Sequence, residues 1–113
     1  MLENIPPDVR PLSRVIVETD RWHVGMPQSP HAMYWWGSFT NWCTASDSSL
    51  FHDYVTKGPL IVFRSRITSF RWLLHPATGE FRDYRNKRAS WNGFLMRNRD
   101  VANDLMLALA KAL

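Results

Sequence analysis

The chain has 113 residues, 45% of them apolar and 21% charged, a size and balance that suit one globular domain and exclude wholesale disorder. Lys and Arg outnumber Asp and Glu by 14 to 10, a net charge of +4, which favours anionic partners without singling out nucleic acid. The single cysteine, Cys43, excludes an internal disulfide, and no apolar stretch approaches the roughly 20 residues needed to span a bilayer. Six tryptophans are an unusual load for this length. The opening MLENIPPDVRPL lacks a basic region followed by an apolar one. No signal peptide is expected, and the expected compartment is the cytoplasm, of a cell or of an infected cell.

Pro6, Pro7 and Pro11 make residues 1–11 an irregular lead-in to a single domain spanning residues 1–113. Residues 13–19, rich in β-branched side chains, predict a first strand. Gly25, Pro27, Pro30 and Gly37 break up residues 20–45, so short strand or loop pieces are expected there. Within them, alternation of Tyr34-Trp35-Trp36 would set Trp35 opposite its two neighbours. Residues 47–57 predict a helix capped by Asp47 or Ser46, with Leu50, Phe51, Tyr54 and Val55 on its apolar face. Gly58, in a left-handed conformation, and Pro59 would end it.

Residues 59–63 form a continuous apolar run, as in a strand covered on both faces. Arg64-Ser65-Arg66 would turn the chain into a strand over 67–75, with Phe70, Trp72 and Leu74 on one face. Residues 76–79 predict a turn with Gly79 at positive φ, and 80–84 a last strand, completing an antiparallel meander over 59–84. Residues 85–99 read as a basic loop. Asp100 would cap a final helix over 101–113 whose stripe is Val101, Leu105, Ala108, Leu109 and Ala112. The predicted class is α+β, a small antiparallel sheet with two helices packed on one side.

Residues 40–84 carry a pattern, W-C-T at Trp42-Cys43-Thr44, Y-x-x-x-G-P-L from Tyr54 to Leu60, and H-x-x-T-G-x-F-x-D from His75 to Asp83. It resembles a small domain of uncharacterised phage-encoded proteins. The resemblance implies a viral, intracellular setting and brings no catalytic residue with it. The chain departs from the pattern after Asp83, where Arg85, Lys87 and Arg88 replace the acidic residues the pattern leads one to expect.

Four constellations compete for a function. Cys43, ahead of the helix at 47–57, would be a nucleophile if His52 or His75 came close enough to act as base; a small buried side chain beside Trp42 is the commoner fate. His23, His31, Cys43, His52 and His75 lack the paired spacing of a zinc site, so no metal or other cofactor is expected. Asp53, Glu80 and Asp83 have no spacing that demands acid–base chemistry. The densest signal is basic: Arg82, Arg85, Lys87, Arg88, Arg97 and Arg99, interleaved with Tyr84 and Trp91. Arginine beside an aromatic ring suits phosphates, bases and protein hot spots alike; a solvated loop is the plain alternative.

The expectation is a non-enzymatic binding protein that occupies a host protein or protein–nucleic-acid complex through this segment, with Trp91 or Trp36 as anchor. Direct nucleic-acid binding, an enzyme using Cys43, and a virion component that self-associates through the last helix remain the alternatives.

Overall fold

The computed structural model describes residues 2–112, and the side chains of all of these except Asp100 and Val101. It is an α+β fold built on one five-stranded antiparallel sheet whose strands are neighbours in chain order. The strands are β1 (Ser13–Glu18), β2 (Trp22–Pro27), β3 (Ile61–Ser65), β4 (Arg71–His75) and β5 (Glu80–Asp83). The helices are α1 (Pro30–Trp36), α2 (Cys43–Ser46), α3 (Ser48–Lys57), α4 (Trp91–Arg97) and α5 (Arg99–Ala112). The meander expected over 59–84 is β3–β4–β5. The N-terminal strand has a second strand, β2, between it and the meander.

Helices lie on both sides of the sheet, where the sequence predicted two on one side. The register sets Val62 opposite Leu73 and Ile61 opposite Leu74, and successive side chains point to opposite faces. Val62 and Leu73 therefore join Trp36, Trp42 and Phe51 of the α1–α3 layer. Ile61, Phe63 and Phe81 join Phe94, Leu105 and Leu109 of the α4–α5 layer. The apolar run at 59–63 was a sign of this double cover, since a strand buried on both faces has no polar side to show.

Local chemistry sets the helix ends. Asp47 accepts from the Ser49 and Leu50 amides and starts α3 as expected. Gly58 ends it at φ 159° and ψ 172°, outside the left-handed helical region predicted for it. Ser29 caps α1 and Ser90 caps α4 through the Ala32 and Gly93 amides. α5 starts at Arg99, one residue before the expected cap; the Asp100 side chain, and that of Val101 in the predicted stripe, lie outside the described residues. Gly79 turns β4 into β5 at φ 73°, as its place in Pro76-Ala77-Thr78-Gly79 predicted.

The turn placed at 64–66 is corrected: Arg64 and Ser65 continue β3 and are buried. Arg64 is 1% exposed and makes a two-point ion pair with Glu3, at 2.5 and 2.8 Å. It also donates to the Trp35 and Trp36 carbonyls and lies 4.1 Å over the Trp35 ring. Arg71, its cross-strand neighbour, shares Glu3 at 3.8 Å. The irregular lead-in is thus pinned to the sheet by Glu3, and by Ile5 and Val9 in the core.

Candidate functional site

Strand alternation splits the predicted basic segment. Arg82 lies on the α1–α3 side of β5, half-buried, with Nε 3.6 Å from Glu80 and Nη1 donating to the Asn86 carbonyl at 3.1 Å. Phe81, its neighbour, lies on the other side. Trp91, expected as an anchor, belongs to α4 rather than to a loop. It stacks on Phe94 at 5.6 Å and meets Phe81 and Phe63 at 5.2 and 5.5 Å; its ring is engaged with the core. Trp36 is corrected outright. It is fully buried and donates its indole N–H to Ser13 Oγ at 2.8 Å. The Tyr34-Trp35-Trp36 run is helical, so its members step round by about 100° rather than alternate. Trp36 enters the core, Trp35 is half-buried, and Tyr34 is 71% exposed.

The remaining predicted residues are exposed. Arg85, Lys87 and Arg88 follow β5 in an irregular turn, and Arg97 and Arg99 flank Asn98 at the α4–α5 junction. Arg85 is tied to Asp83 at 2.9 Å and lies 5.6 Å over the Tyr84 ring. That pair, with two backbone amides, holds the Asp83 carboxyl below its ordinary range against its partial burial. Lys87, Arg88, Arg97 and Arg99 have no ion-pair partner among the described residues.

The sequence did not reveal what joins these two basic groups. Phe70, 47% exposed, packs on Trp72 at 5.9 Å and on Tyr84 at 5.7 Å. Beside it is a cleft of about 130 Å³ lined by Arg21, Trp22, Ile67, Phe70, Trp72 and Asn98. Ile67 is 60% exposed at its rim. The Trp22 indole N–H is buried without an acceptor among the described residues, a state that costs about 1–3 kcal/mol when nothing satisfies it. One continuous strip therefore runs from Asn98 through Trp72, Phe70 and Tyr84 to Arg85. The signal in the sequence was the alternation of Phe70, Trp72 and Leu74, which placed these rings on one face but not at its edge.

A second cavity, of about 250 Å³, opens on the other side of the sheet between α2, α3 and β5, walled by Cys43, Thr44, Tyr54, Glu80 and Arg82 among others. Cys43 is exposed, not the buried small side chain expected of a lone cysteine. No histidine lines this cavity. His75 is fully buried, with Nδ1 2.8 Å from Thr78 Oγ1 and Nε2 2.9 Å from the Tyr54 carbonyl. His52 is exposed on α3, its ring against Phe51. Neither histidine expected as the base for a Cys43 nucleophile is therefore in the described lining. His23 and His31 meet Glu18 and Asp8 at 2.9 and 2.7 Å. Among the described residues no three His, Cys, Asp or Glu side chains gather as metal ligands would.

A third hollow lies beside Tyr34 and Phe39. Phe39 is 83% exposed and holds φ 62°, a left-handed conformation that costs a non-glycine residue about 1–2 kcal/mol. No charged side chain lines this hollow.

Of the apolar stripe of α5, read as a self-association surface, Leu105 and Leu109 are buried against the sheet. No helix among the described residues is long and apolar enough to cross a membrane. Comparison of the chain with protein-family models, with curated proteins and with solved structures finds no match.

Proposed function

We propose that this chain is a binding protein that occupies a host protein, alone or within a protein–nucleic-acid complex, and performs no chemistry of its own. Its docking face is the strip of Trp72, Phe70 and Tyr84, rimmed by Arg85 on one side and by Arg97 and Arg99 on the other. The single observation that carries this reading is Phe70, half in solvent while packed between two further rings. Aromatic and Arg side chains dominate the binding energy of protein interfaces, and an exposed apolar centre gains most from a partner that removes it from water. The rim of Arg suits an acidic partner surface. The host and viral setting rests on the W-C-T, Y-x-x-x-G-P-L and H-x-x-T-G-x-F-x-D resemblance alone.

Direct nucleic-acid binding is the second reading, favoured by Lys87, Arg88, Arg97 and Arg99, which stand exposed without ion pairs among the described residues. Affinity capture from host lysate, with and without nuclease and eluted along a salt gradient, separates the two. The proposal expects a discrete protein that survives nuclease and elutes with a shallow salt dependence. Loss of every partner after nuclease, with a steep salt dependence from counterion release, would replace it with the second reading.

A further inference from the structure

Four residues of the sequence pattern, Trp42, Cys43, Thr44 and Tyr54, meet two of its variable positions, Glu80 and Arg82, around one cavity. Trp42, Cys43 and Thr44 open α2, Tyr54 comes from α3, and Glu80 and Arg82 are two apart on β5, so all six line the same 250 Å³ space. Glu80 accepts from the Tyr54 hydroxyl at 3.1 Å, and the same carboxylate oxygen lies 3.6 Å from Arg82 Nε. This carboxylate and partial burial hold the Tyr54 phenol above its ordinary pKa, burial being the larger cause. Behind the wall, buried His75 is fixed to the Tyr54 and Gly58 carbonyls and to Thr78, which sets where α3 ends against β4. Trp42 is anchored by its indole N–H on the Asp83 carbonyl at 2.7 Å.

These bonds leave capacity unused. The second carboxylate oxygen of Glu80 and Nη2 of Arg82 have no hydrogen-bond partner among the described residues. The Thr44 hydroxyl, on a residue 6% exposed, is buried without one. Leu50 and Leu73 supply apolar wall. An acceptor and a donor of opposite charge, side by side, make the site close to neutral. Neither a free anion nor a free cation gains much from it. A neutral planar group with adjacent N–H and acceptor atoms satisfies both at once.

We propose that this cavity binds the hydrogen-bonding edge of a nucleobase, Glu80 accepting from its N–H and Arg82 donating to its neighbouring acceptor, with the ring against Leu50 and Leu73. Reading a base edge by such pairs between apolar walls is chemically well founded. Asn86 lines the cavity, and Lys87, next in the chain, is exposed. The base comes either from a free nucleotide or from an unpaired position in a strand. Arg82 and Trp72 face opposite sides of the sheet, so this site stands independently of the docking face.

The test is a titration of the full, isotope-labelled chain, followed by its amide chemical shifts. The probes are the nucleoside monophosphates, inorganic phosphate, and a short single-stranded oligonucleotide. The proposal expects shifts at Thr44, Tyr54, Glu80 and Asn86 with a monophosphate and not with phosphate. Affinity should fall about tenfold or more in Glu80→Gln and Arg82→Gln and stay unchanged in Lys111→Gln, a change on the exposed side of α5. Tighter binding of the oligonucleotide identifies a base within a strand, and tighter binding of the monophosphate a free nucleotide. No shift at these residues at millimolar nucleotide, shifts reproduced by phosphate alone, or affinity indifferent to both variants would overturn the proposal. The wild-type shift map decides even if a variant fails to fold.

Discussion

Glu3 and Arg64 show how much rests on single residues. Arg64 is almost wholly buried, and a buried guanidinium needs its charge and donors matched. Glu3 does this from a lead-in with no regular structure. Its carboxyl is held below the ordinary range of about 4.5; burial opposes this most strongly, and the Arg64 hydrogen bonds and charge outweigh it. Glu3→Ala should cost about 2–3 kcal/mol, less than a fully buried pair because a third of Glu3 meets water; the midpoint of denaturant unfolding measures it.

His23 adds a pH dependence. Burial and then Arg66 push its pKa below 6.5, against the pull of Glu18. A depressed folded pKa means that the unfolded chain takes the proton first, so stability is full above about 6.5 and is lost as pH falls. Glu3 extends the loss below its unfolded value for the same reason. Thermal midpoints taken from neutral pH downward should fall, and His23→Gln should flatten the upper part of that fall. Phe39 predicts the opposite sign of change. Its left-handed backbone strains a β-carbon, and its ring is mostly in water, so Phe39→Gly should stabilise by about 0.5–1 kcal/mol.

At the scale of elements, the sheet and α1 are fitted to each other through one glycine. A β-carbon on Gly25 of β2 would lie 2.6 Å from two ring atoms of Trp36. Gly25→Ala should therefore push α1 from the sheet and cost about 1–3 kcal/mol, read from the thermal midpoint with the sheet signal retained. This contact explains why residues 20–45 were only partly legible. Gly25 and Pro27 read as breaks, yet Gly25 sits inside β2 because a tryptophan from another element needs its space. Asp47 and Gly79 were legible because a cap and a turn are decided by neighbours in sequence. Arg64 was not: a charged residue reads as a turn until Glu3, 61 residues away, makes its burial tolerable. α4 was missed because the charges around Trp91 and Phe94 masked a helix only two turns long.

For the whole molecule, the sheet is the device that separates two surfaces. Alternation sends Glu80 and Arg82 to one side, Trp72 and Phe81 to the other. Residues close in sequence therefore fall on different surfaces. The predicted list mixed the two: the basic residues around Tyr84 and Asn98 lie at the ends of the aromatic strip, whereas Arg82 belongs to the cavity and Trp36 and Trp91 to the core. Nothing in spacing along the chain distinguishes these fates, because burial depends on which helix covers which face. Phe70 could be placed on a face by alternation, but its exposure follows from the edge of the α4–α5 layer ending beside Asn98.

The most direct test of the proposed docking face is a side-by-side capture from lysate of the proposed host by the wild-type chain, Phe70→Ser and Arg85→Glu, after nuclease treatment. Each variant is first shown by circular dichroism to keep the wild-type fold. Removing a central interface anchor costs about 2 kcal/mol or more. The account therefore predicts that the captured protein disappears or falls steeply with Phe70→Ser and weakens with Arg85→Glu. Undiminished capture by both folded variants would contradict it and would move the binding surface elsewhere on the molecule.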